Sequence, residues 1–403
     1  MGNKAYRSME SRFDVNRRDL MKLGGAAAAG LMLGTPALWA QEKGAPPPPR
    51  PSTNIQDALK TPRTAQSIPG PFPGRVIQVR NAGAMKGDVP DAGVVRGMFE
   101  RGMKELTGGD LKKSFNLLFK RDDTIGIKIS PAGGLMQSSR PEVVEAVVEW
   151  LRENGVPGKN IILWDRFDSM LKDAGFTSAR FPGIGLEGLQ TMDDEAAEGK
   201  TTDNSRWLGK DGKHVSLPQF DSDVYYWADV DGPPDLPYLN QHVVNGKYSY
   251  FGKLVTQRLT KIINLPVFKN TGNGISMATK NLGYGAICNT GRLHQPLFFD
   301  VCAEVLAFAP IRDKYVLTIN DGLRGQYDGG PMPAPQFTYA YNTLFFATDP
   351  IACDFVGHTL MVEKRKAMGV KIVEHPRYTD YLRYAEKLGL GTADPKKIRL
   401  VRA

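Results

Sequence analysis

The chain has 403 residues, 24% of them charged, and a formal net charge of +9 at pH 7. Residues 1–41 hold six Lys or Arg and three acidic residues, so +6 remains for the rest of the chain. A positive charge of this size suits small anionic ligands, and it is not gathered into the basic stripe that is typical of nucleic-acid-binding proteins. We therefore expect no nucleic-acid partner.

The first 40 residues have the pattern of an export signal. Arg17 and Arg18 precede a short apolar run, LGGAAAAGLMLG, and small residues lie near Ala40. The run is shorter than the ~18 apolar residues that a membrane-spanning helix needs. The pattern predicts a cleavable twin-arginine signal peptide over 1–40, with the twin-arginine translocase as a partner during export. It also predicts a folded protein in the periplasm or outside the cell, without stable membrane insertion.

The remaining chain divides by composition. Residues 41–74 are rich in proline and polar side chains, which predicts an extended linker. Residues 75–403 then predict a single large domain. Within it, residues 177–255 become polar and aromatic, and we expect an insertion there that lines one side of a cleft.

Six short segments rich in β-branched residues predict strands. Several are apolar without alternation, as expected when helices cover both faces of a sheet. Helical patterns separate the segments, so we predict an α/β fold with a mixed or mainly parallel sheet. The predicted strands are 75–80, 124–130, 160–165, 260–267, 315–321 and 342–349.

Three helices are the clearest, over 140–155, 295–310 and 349–364. Ser139 stands three residues before Glu142, which predicts a capping box at the start of the first helix. Asp349 and Pro350 occupy the positions of an N-cap and a first helical residue in the third.

Polar residues gather where the predicted strands end. Lys128, Asp165, Lys269, Asp321 and Asp349 each close or follow a different strand. In open α/β sheets ligands bind beyond the carboxyl ends of the strands, so we predict one shared site. The alternative is that strands simply stop where polar residues begin.

Acidic residues and one histidine add candidate roles. Asp354 interrupts an apolar helix face, so it needs a lysine or a cation as partner. Asp321, Asp349 and Asp354 together are candidate ligands for Mg²⁺ or Ca²⁺, which makes a divalent cation a candidate cofactor. His294 is the nominated acid or base, with a structural role as the alternative.

Residues 265–285, LPVFKNTGNGISMATKNLGYG, set lysine and asparagine side chains among glycines. We predict an anion site in which glycine lets the backbone approach the ligand; a solvated loop is the other interpretation. Lys269, Asn270 and Asn281 are the predicted ligand-binding residues. The predicted catalytic residues are Lys128, Lys280, His294 and Asp354.

These segments resemble the family called domain of unknown function 362. The similarity covers most of 75–362 and rests on DDTIGIKIS, LTKIINLPVFKN, MATKNLGYG with RLHQP after it, INDGLRGQ and FFATDPIACDFVG. The family has no generally assigned activity, so the resemblance implies polar positions without catalytic roles. Those positions are Lys128, Lys269, Lys280, Asn281, His294, Asp321, Asp349 and Asp354.

Some members of that family carry iron–sulfur modules. Here the three cysteines, Cys288, Cys302 and Cys353, are dispersed and cannot supply the cysteine-rich run that a cluster needs, so we expect no iron–sulfur cluster. Their apolar surroundings favour buried free thiols, with one disulfide as the alternative.

Taken together, the sequence predicts an exported protein that binds or acts on a small anionic molecule, either a carboxylate or a phosphate. In an enzyme, lysine and asparagine would stabilise developing negative charge while an aspartate or His294 moved a proton. Two alternatives stay open. One is a non-catalytic periplasmic binding protein, and the other is a partner protein of the cell envelope.

Overall fold

The computed structural model describes residues 50–190, 219–230, 246–272, 274–294, 297–371 and 380–403. Residues Arg50–Ala403 form one compact unit. A mixed, mostly parallel sheet runs through it with helices on both faces, which confirms the predicted α/β fold. The predicted signal peptide, 1–40, lies outside the described residues, so export stays a prediction.

Ten described strands form the main sheet, in the order β14-β1-β13-β12-β9-β4-β5-β6, with β10 beside β12 and β11 beside β10. The run β12, β9, β4, β5 and β6 is parallel, whereas β13 is antiparallel to both β12 and β1. The strands are β1 (Arg75–Arg80), β2 (Met85–Lys86), β3 (Val89–Pro90), β4 (Ile125–Ile129), β5 (Ile161–Phe167), β6 (Gly185–Gln190), β7 (Phe220–Trp227), β8 (Tyr248–Gly252), β9 (Lys261–Leu265), β10 (Val267–Thr271), β11 (Gly274–Ile275), β12 (Tyr315–Gln326), β13 (Thr338–Ala347) and β14 (Arg399–Arg402).

All six predicted strands are present, but the segment 260–267 divides at Pro266 into β9 and β10. A proline has no N–H to donate within a sheet, and here it marks the shift of the chain from one strand position to another. β10 then pairs in parallel with the second half of β12, which extends that strand to Gln326, beyond its predicted end.

The described helices are α1 (Ile55–Lys60), α2 (Ala92–Thr107), α3 (Leu111–Leu118), α4 (Pro141–Glu153), α5 (Asp168–Asp173), α6 (Ala278–Gly285), α7 (Asp300–Ala307), α8 (Ala309–Arg312), α9 (Pro350–Ala367) and α10 (Asp380–Lys387). α2, α3 and α4 cover one face of the sheet. α6, α7 and α10 cover the opposite face around a separate core, and α9 packs on that side with β1, β10 and β13.

Both faces of the central strands are apolar. In β5, Ile161 and Leu163 pack with α2 and α4, whereas Ile162 and Trp164 pack with α6 and α7. In β4, Ile125, Ile127 and Ile129 pack on the α4 side, so Lys128 lies on the opposite, α6 side. Because both faces of these strands are buried, their sequences lack the alternation of apolar and polar residues.

The start of α4 differs from the predicted capping box. Arg140 is the N-cap residue and its side chain makes no capping bond. The Ser139 hydroxyl donates to the Leu265 carbonyl and accepts from Ser130 N at 2.9 Å. Ser139 therefore joins the ends of β4 and β9, because a buried hydroxyl is drawn to the free backbone groups at strand ends.

Residues 50–74 pack against the domain, where the sequence predicted the second part of an extended linker over 41–74. Ile55, Ala58 and Ile68 are buried in the core. Arg312, 2% exposed, donates to the carbonyls of Ala58, Thr61 and Pro62. The few apolar residues and one buried guanidinium fix this segment despite its polar composition.

The predicted insertion at 177–255 also differs in part. Its first strand, β6, belongs to the main sheet beside β5. β7 and β8 form a separate antiparallel pair, and Phe220 and Phe251 pack into the core around α7. Residues 191–218 and 231–245 of the insertion lie outside the described residues. Where the chain is described, no helix is both long and apolar enough to cross a membrane.

Candidate functional site

A buried ion pair lies at the carboxyl edge of the parallel strands. Lys128, near the end of β4 and 1% exposed, donates from Nζ to Asp165 Oδ1 on β5. The same ammonium donates to the Ile129 carbonyl at 2.6 Å and to Asn281 Oδ1 at 3.0 Å. Burial lowers the pKa of Lys128, and the adjacent Asp165 acts in the opposite direction. Three acceptors around one ammonium hold this lysine in place.

Asn281 on α6 links this pair to the interior of the sheet. Its Nδ2 donates to Asn264 Oδ1 at 2.8 Å, and Asn264 donates to the Ala278 carbonyl at 2.9 Å. Asn264 is fully buried on β9, directly beside Lys128 in the sheet. The two amides thus fix the position of α6 over the strand ends, a structural role where the sequence predicted ligand binding by Asn281.

Lys269 on β10 is the most unusual group of the site. Its side chain is only 4% exposed, and its Nζ donates no hydrogen bond to any residue that the structure describes. Burial lowers its pKa to about 8, and the positive charges of Lys280 and Lys128 act in the same direction. The charge of Asp165 opposes this effect, but Asp165 is already bound by Lys128.

Lys280 lies on α6, with its ammonium over two aromatic rings. Nζ is 4.5 Å from the ring centroid of Phe298 and 5.5 Å from that of Tyr284. Burial lowers the pKa of Lys280 to about 8. No described carboxylate forms an ion pair with this ammonium. The aromatic faces attract the charged form of the lysine, although they are weaker partners than a carboxylate.

His294 lies beside Lys280, with its ring 4.6 Å from Tyr284 and 5.3 Å from Phe298. Its Nδ1 is 2.9 Å from the Thr290 carbonyl, so Nδ1 carries the proton and Nε2 keeps a lone pair. Burial and the charge of Lys280 lower the pKa of His294 to about 3. The histidine is therefore neutral at ordinary pH, and it can accept a proton only transiently.

The structure thus brings together Lys128, Lys269, Lys280, Asn281 and His294 at one edge of the sheet. Sequence reasoning did not assign a role to Arg166, which follows Asp165 and donates to the Ile287 carbonyl and to Thr290 Oγ1. It thereby fixes the segment that carries His294. Its position directly after Asp165, which ends a predicted strand, was the sequence signal that could have identified it.

The side chains of Asn270 and Asp349 form hydrogen bonds with the backbone of loops and of a helix start. Asn270 donates to the Gly272 carbonyl and accepts from Gly330 N, both at 2.9 Å, which ties two loops together. Asp349 is the N-cap of α9, as the sequence predicted, and accepts from Ile351 N and Ala352 N.

Asp354 and Asp321 also accept backbone N–H groups. Asp354 accepts from Ala278 N at 2.8 Å and Thr279 N at 2.9 Å, and so caps α6 from a neighbouring helix. Asp321 accepts from Arg140 N at 2.6 Å, at the start of α4. Burial raises the pKa of both carboxyls to about 6, and these hydrogen bonds act in the opposite direction.

The predicted metal ligands Asp321, Asp349 and Asp354 are therefore each engaged by the backbone. Within the described ranges, no group of three or more His, Cys, Asp or Glu side chains is arranged to hold a metal ion. Their carboxylates accept hydrogen bonds at the starts of helices, where free N–H groups attract negative charge.

The glycines of the 265–285 stretch allow close packing. A Cβ on Gly285 would lie 2.3 Å from Lys128 Cε, and one on Gly283 would lie 2.8 Å from Cys302 Cα. The described part of the stretch forms β10, β11 and α6, so the alternative interpretation of a solvated loop is wrong. Gly285 leaves room for Lys128, a use that differs from the predicted approach of backbone to a ligand.

The three cysteines are buried free thiols. Burial raises the pKa of Cys288 to about 11 and that of Cys302 further above its ordinary value. The thiols are therefore protonated at neutral pH, and they contribute no charge to the site.

Comparison with known proteins identifies a family whose sequence model matches part of the chain. A sequence model of the family described as Domain of unknown function (DUF362) matches residues 235–359. The matched span contains Lys269, Lys280, His294 and Asp354, whereas Lys128 and Asp165 precede it. None of the curated proteins matches this chain.

Proposed function

We propose that this protein binds a small anionic molecule, a carboxylate or a phosphate, between Lys269 and Lys280. The observation that carries the proposal is the state of Lys269. Its ammonium is buried without a hydrogen-bond acceptor among the described residues, and a second lysine without an ion-pair partner lies within its electrostatic range. A buried, unpaired cation is costly, and such sites are retained where a ligand supplies the missing charge.

The local charges support an anion over a cation. Lys128 and Asp165 neutralise each other, so the neighbouring Lys269 and Lys280 leave an excess of positive charge at this edge. Neutral His294 adds a lone pair and no charge. A bound carboxylate or phosphate would accept hydrogen bonds from both ammonium groups in a site of low dielectric, where charged hydrogen bonds are strong.

The test is a thermal shift experiment with inorganic phosphate, malonate and succinate. We expect at least one of these anions to raise the melting temperature of the wild-type protein, and sodium chloride at equal ionic strength to have a much smaller effect. A Lys280→Met variant should lose the shift. No shift with any of the three anions would contradict the proposal.

A matched control is Lys261→Met. Lys261 lies at the opposite end of the parallel strands, on β9, and donates to Gln66 at 2.8 Å. Its pKa is also lowered by burial. This variant removes the same charge away from the site, so it should keep the anion-dependent shift.

Export is a separate proposal, supported by the sequence of residues 1–40. Arg17 and Arg18 before a short apolar run are typical of twin-arginine signals. Replacing both arginines with lysine should retain the protein in the cytoplasm, as measured by cell fractionation. Unchanged export of that variant would contradict the twin-arginine assignment.

A further inference from the structure

We propose that Lys269 is a nucleophile that forms a Schiff base with a small oxo acid, whose carboxylate binds at Lys280. This inference rests on the proposed anion site and adds the class of substrate and the reactive residue to it.

Among the three lysines of the site, Lys269 is the one whose amine is available. The Lys128 ammonium already donates to Asp165, Ile129 and Asn281. Lys280 lies over the faces of Phe298 and Tyr284, which stabilise its protonated form. Lys269 has neither kind of partner in the described structure, and it is buried in the middle of β10.

The surroundings of Lys269 disfavour its ammonium form. Burial disfavours its ammonium form, and the positive charge of Lys280 acts in the same direction. A lysine in a buried site next to a second cation is a recognised form of activated amine. The aromatic faces next to Lys280 favour its ammonium form, which can hold a carboxylate.

The reaction balances with His294 and one proton from solvent. The Lys269 amine attacks the carbonyl carbon of the oxo acid and forms a C–N bond. The nitrogen keeps one hydrogen; its other hydrogen and one further proton leave with the carbonyl oxygen as water. The Nε2 lone pair of neutral His294 can take the proton that the amine nitrogen loses and pass it to the departing oxygen, and the further proton comes from solvent. Lys280 thereby keeps its charge on the carboxylate. The product is a protonated imine beside the bound carboxylate.

The substrate class follows from this pairing. A carboxylate on Lys280 and a carbonyl carbon on Lys269 must belong to one small molecule, because both lysines lie at the same edge of the sheet. Short 2-oxo and 3-oxo acids meet that condition. A simple aldehyde or ketone lacks the anionic group and should react more slowly.

The test is reductive trapping on the wild-type protein. Pyruvate or acetoacetate is added with sodium borohydride, which reduces the imine carbon and leaves a stable secondary amine. Intact mass followed by peptide mapping should locate one adduct on Lys269. Acetone, which has no carboxylate, should give at least about tenfold less adduct.

Measurements on the wild type separate this proposal from anion binding, and a Lys269→Arg variant tests the nucleophile. Arginine has no amine that can form the imine, so this variant should lose the adduct, whereas Lys261→Met, away from the site, should keep it. If the wild type shows the anion-dependent shift but no adduct, or an adduct elsewhere, the Schiff base is overturned and anion binding stands. If no anion shifts the melting temperature, the proposed function itself fails.

Discussion

Lys269, which is buried, and Lys280, which is partly exposed, carry two positive charges without an ion-pair partner that the structure describes. Their charged forms are destabilised relative to water, which is what the lowered pKa values express. In the absence of a ligand, these two charges lower the free energy of unfolding. The charges that would bind an anion therefore destabilise the protein without ligand, a conflict that is common in binding sites.

Removing one of the charges should stabilise the protein without ligand. The pKa of Lys269 falls from 10.5 to about 8 on folding. Between those values the unfolded chain binds more protons than the folded protein, so stability rises with pH across that window. We expect Lys269→Met to raise the free energy of unfolding by about 1–3 kcal/mol at neutral pH. The gain should shrink as the pH approaches 10.5.

Urea unfolding of the wild type and Lys269→Met across that range of pH measures the difference. Lys261→Met serves as the control because its lysine has a hydrogen-bonded partner in Gln66. A destabilised Lys269→Met protein at neutral pH would show that this ammonium has a favourable partner in solution.

Anion affinity should depend on pH through the same two lysines. Both pKa values lie at about 8, so each ammonium begins to lose its proton there. The dissociation constant for malonate, which is fully ionised at neutral pH, should therefore stay nearly constant from neutral pH to about 8 and rise steeply above it. Isothermal titration calorimetry at several pH values tests this. A constant affinity across the range would exclude the two lysines as the anion-binding groups.

Gly285→Ala should disturb Lys128 specifically. The added Cβ would lie 2.3 Å from Lys128 Cε and 2.8 Å from its Nζ, and Lys128 cannot move without leaving Asp165 and Asn281. We expect a loss of about 2–3 kcal/mol in unfolding free energy, since overpacking and a disturbed buried ion pair act together. Gly97→Ala, in α2 with no atom within 4 Å of the added Cβ, is a comparison for the general effect of added Cβ atoms. Equal small losses in both variants would contradict the close packing.

At the scale of the elements, the N-terminus of α6 is capped by a residue of another helix. Its N-cap residue, Met277, has no capping side chain, and Asp354 on α9 accepts from the first free N–H groups. Because α6 carries Lys280 and Asn281, this contact also positions the site. The carboxylate thus acts on the ligand site through the helix.

Asp354→Ala should therefore weaken both the fold and the site. Two buried N–H groups would lose their acceptor, which we expect to cost about 2–4 kcal/mol of unfolding free energy. Phosphate or malonate binding should weaken as Lys280 shifts. Asp57→Ala, at an exposed position of α1, is the control. Wild-type anion binding in a folded Asp354→Ala protein would show that the cap does not control the site.

The sequence was sufficient to predict the features that depend on apolar runs and on the positions where strands end. The strands and the grouping of Lys128 with Lys269 follow from the rule that parallel strands end at one edge. It was not informative for Asp321 and Asp354. A carboxylate that accepts backbone N–H groups of a distant helix has the same local pattern as a metal ligand, and only the tertiary contact distinguishes them.

For the whole molecule, the segment 50–74 is a part of the domain that composition alone did not reveal. Arg312 holds it by donating to the carbonyls of Thr61 and Pro62 and by pairing with Asp313. One side chain from the middle of the chain thus fixes a proline-rich stretch that is far away in sequence.

Arg312→Met should release this segment. Three carbonyls would lose their donor, and we expect a loss of about 2–4 kcal/mol of unfolding free energy with faster proteolysis near residues 59–66. Limited proteolysis followed by mass spectrometry identifies the cleavage sites. Arg258→Met, which removes a surface pair with Glu187, should leave the segment protected. Equal cleavage in both variants would contradict the role of Arg312.

The cap on α6 has a consequence for the order of folding events. A helix of eight residues that contains two glycines is not stable alone, and its capping carboxylate arrives 75 residues or more later in the chain. During synthesis, the chain up to α7 therefore has its lysines but no fixed arrangement of them. The proposed anion site can therefore take its arrangement only once α9 has docked, and we expect truncated chains that lack α9 not to bind the ligand.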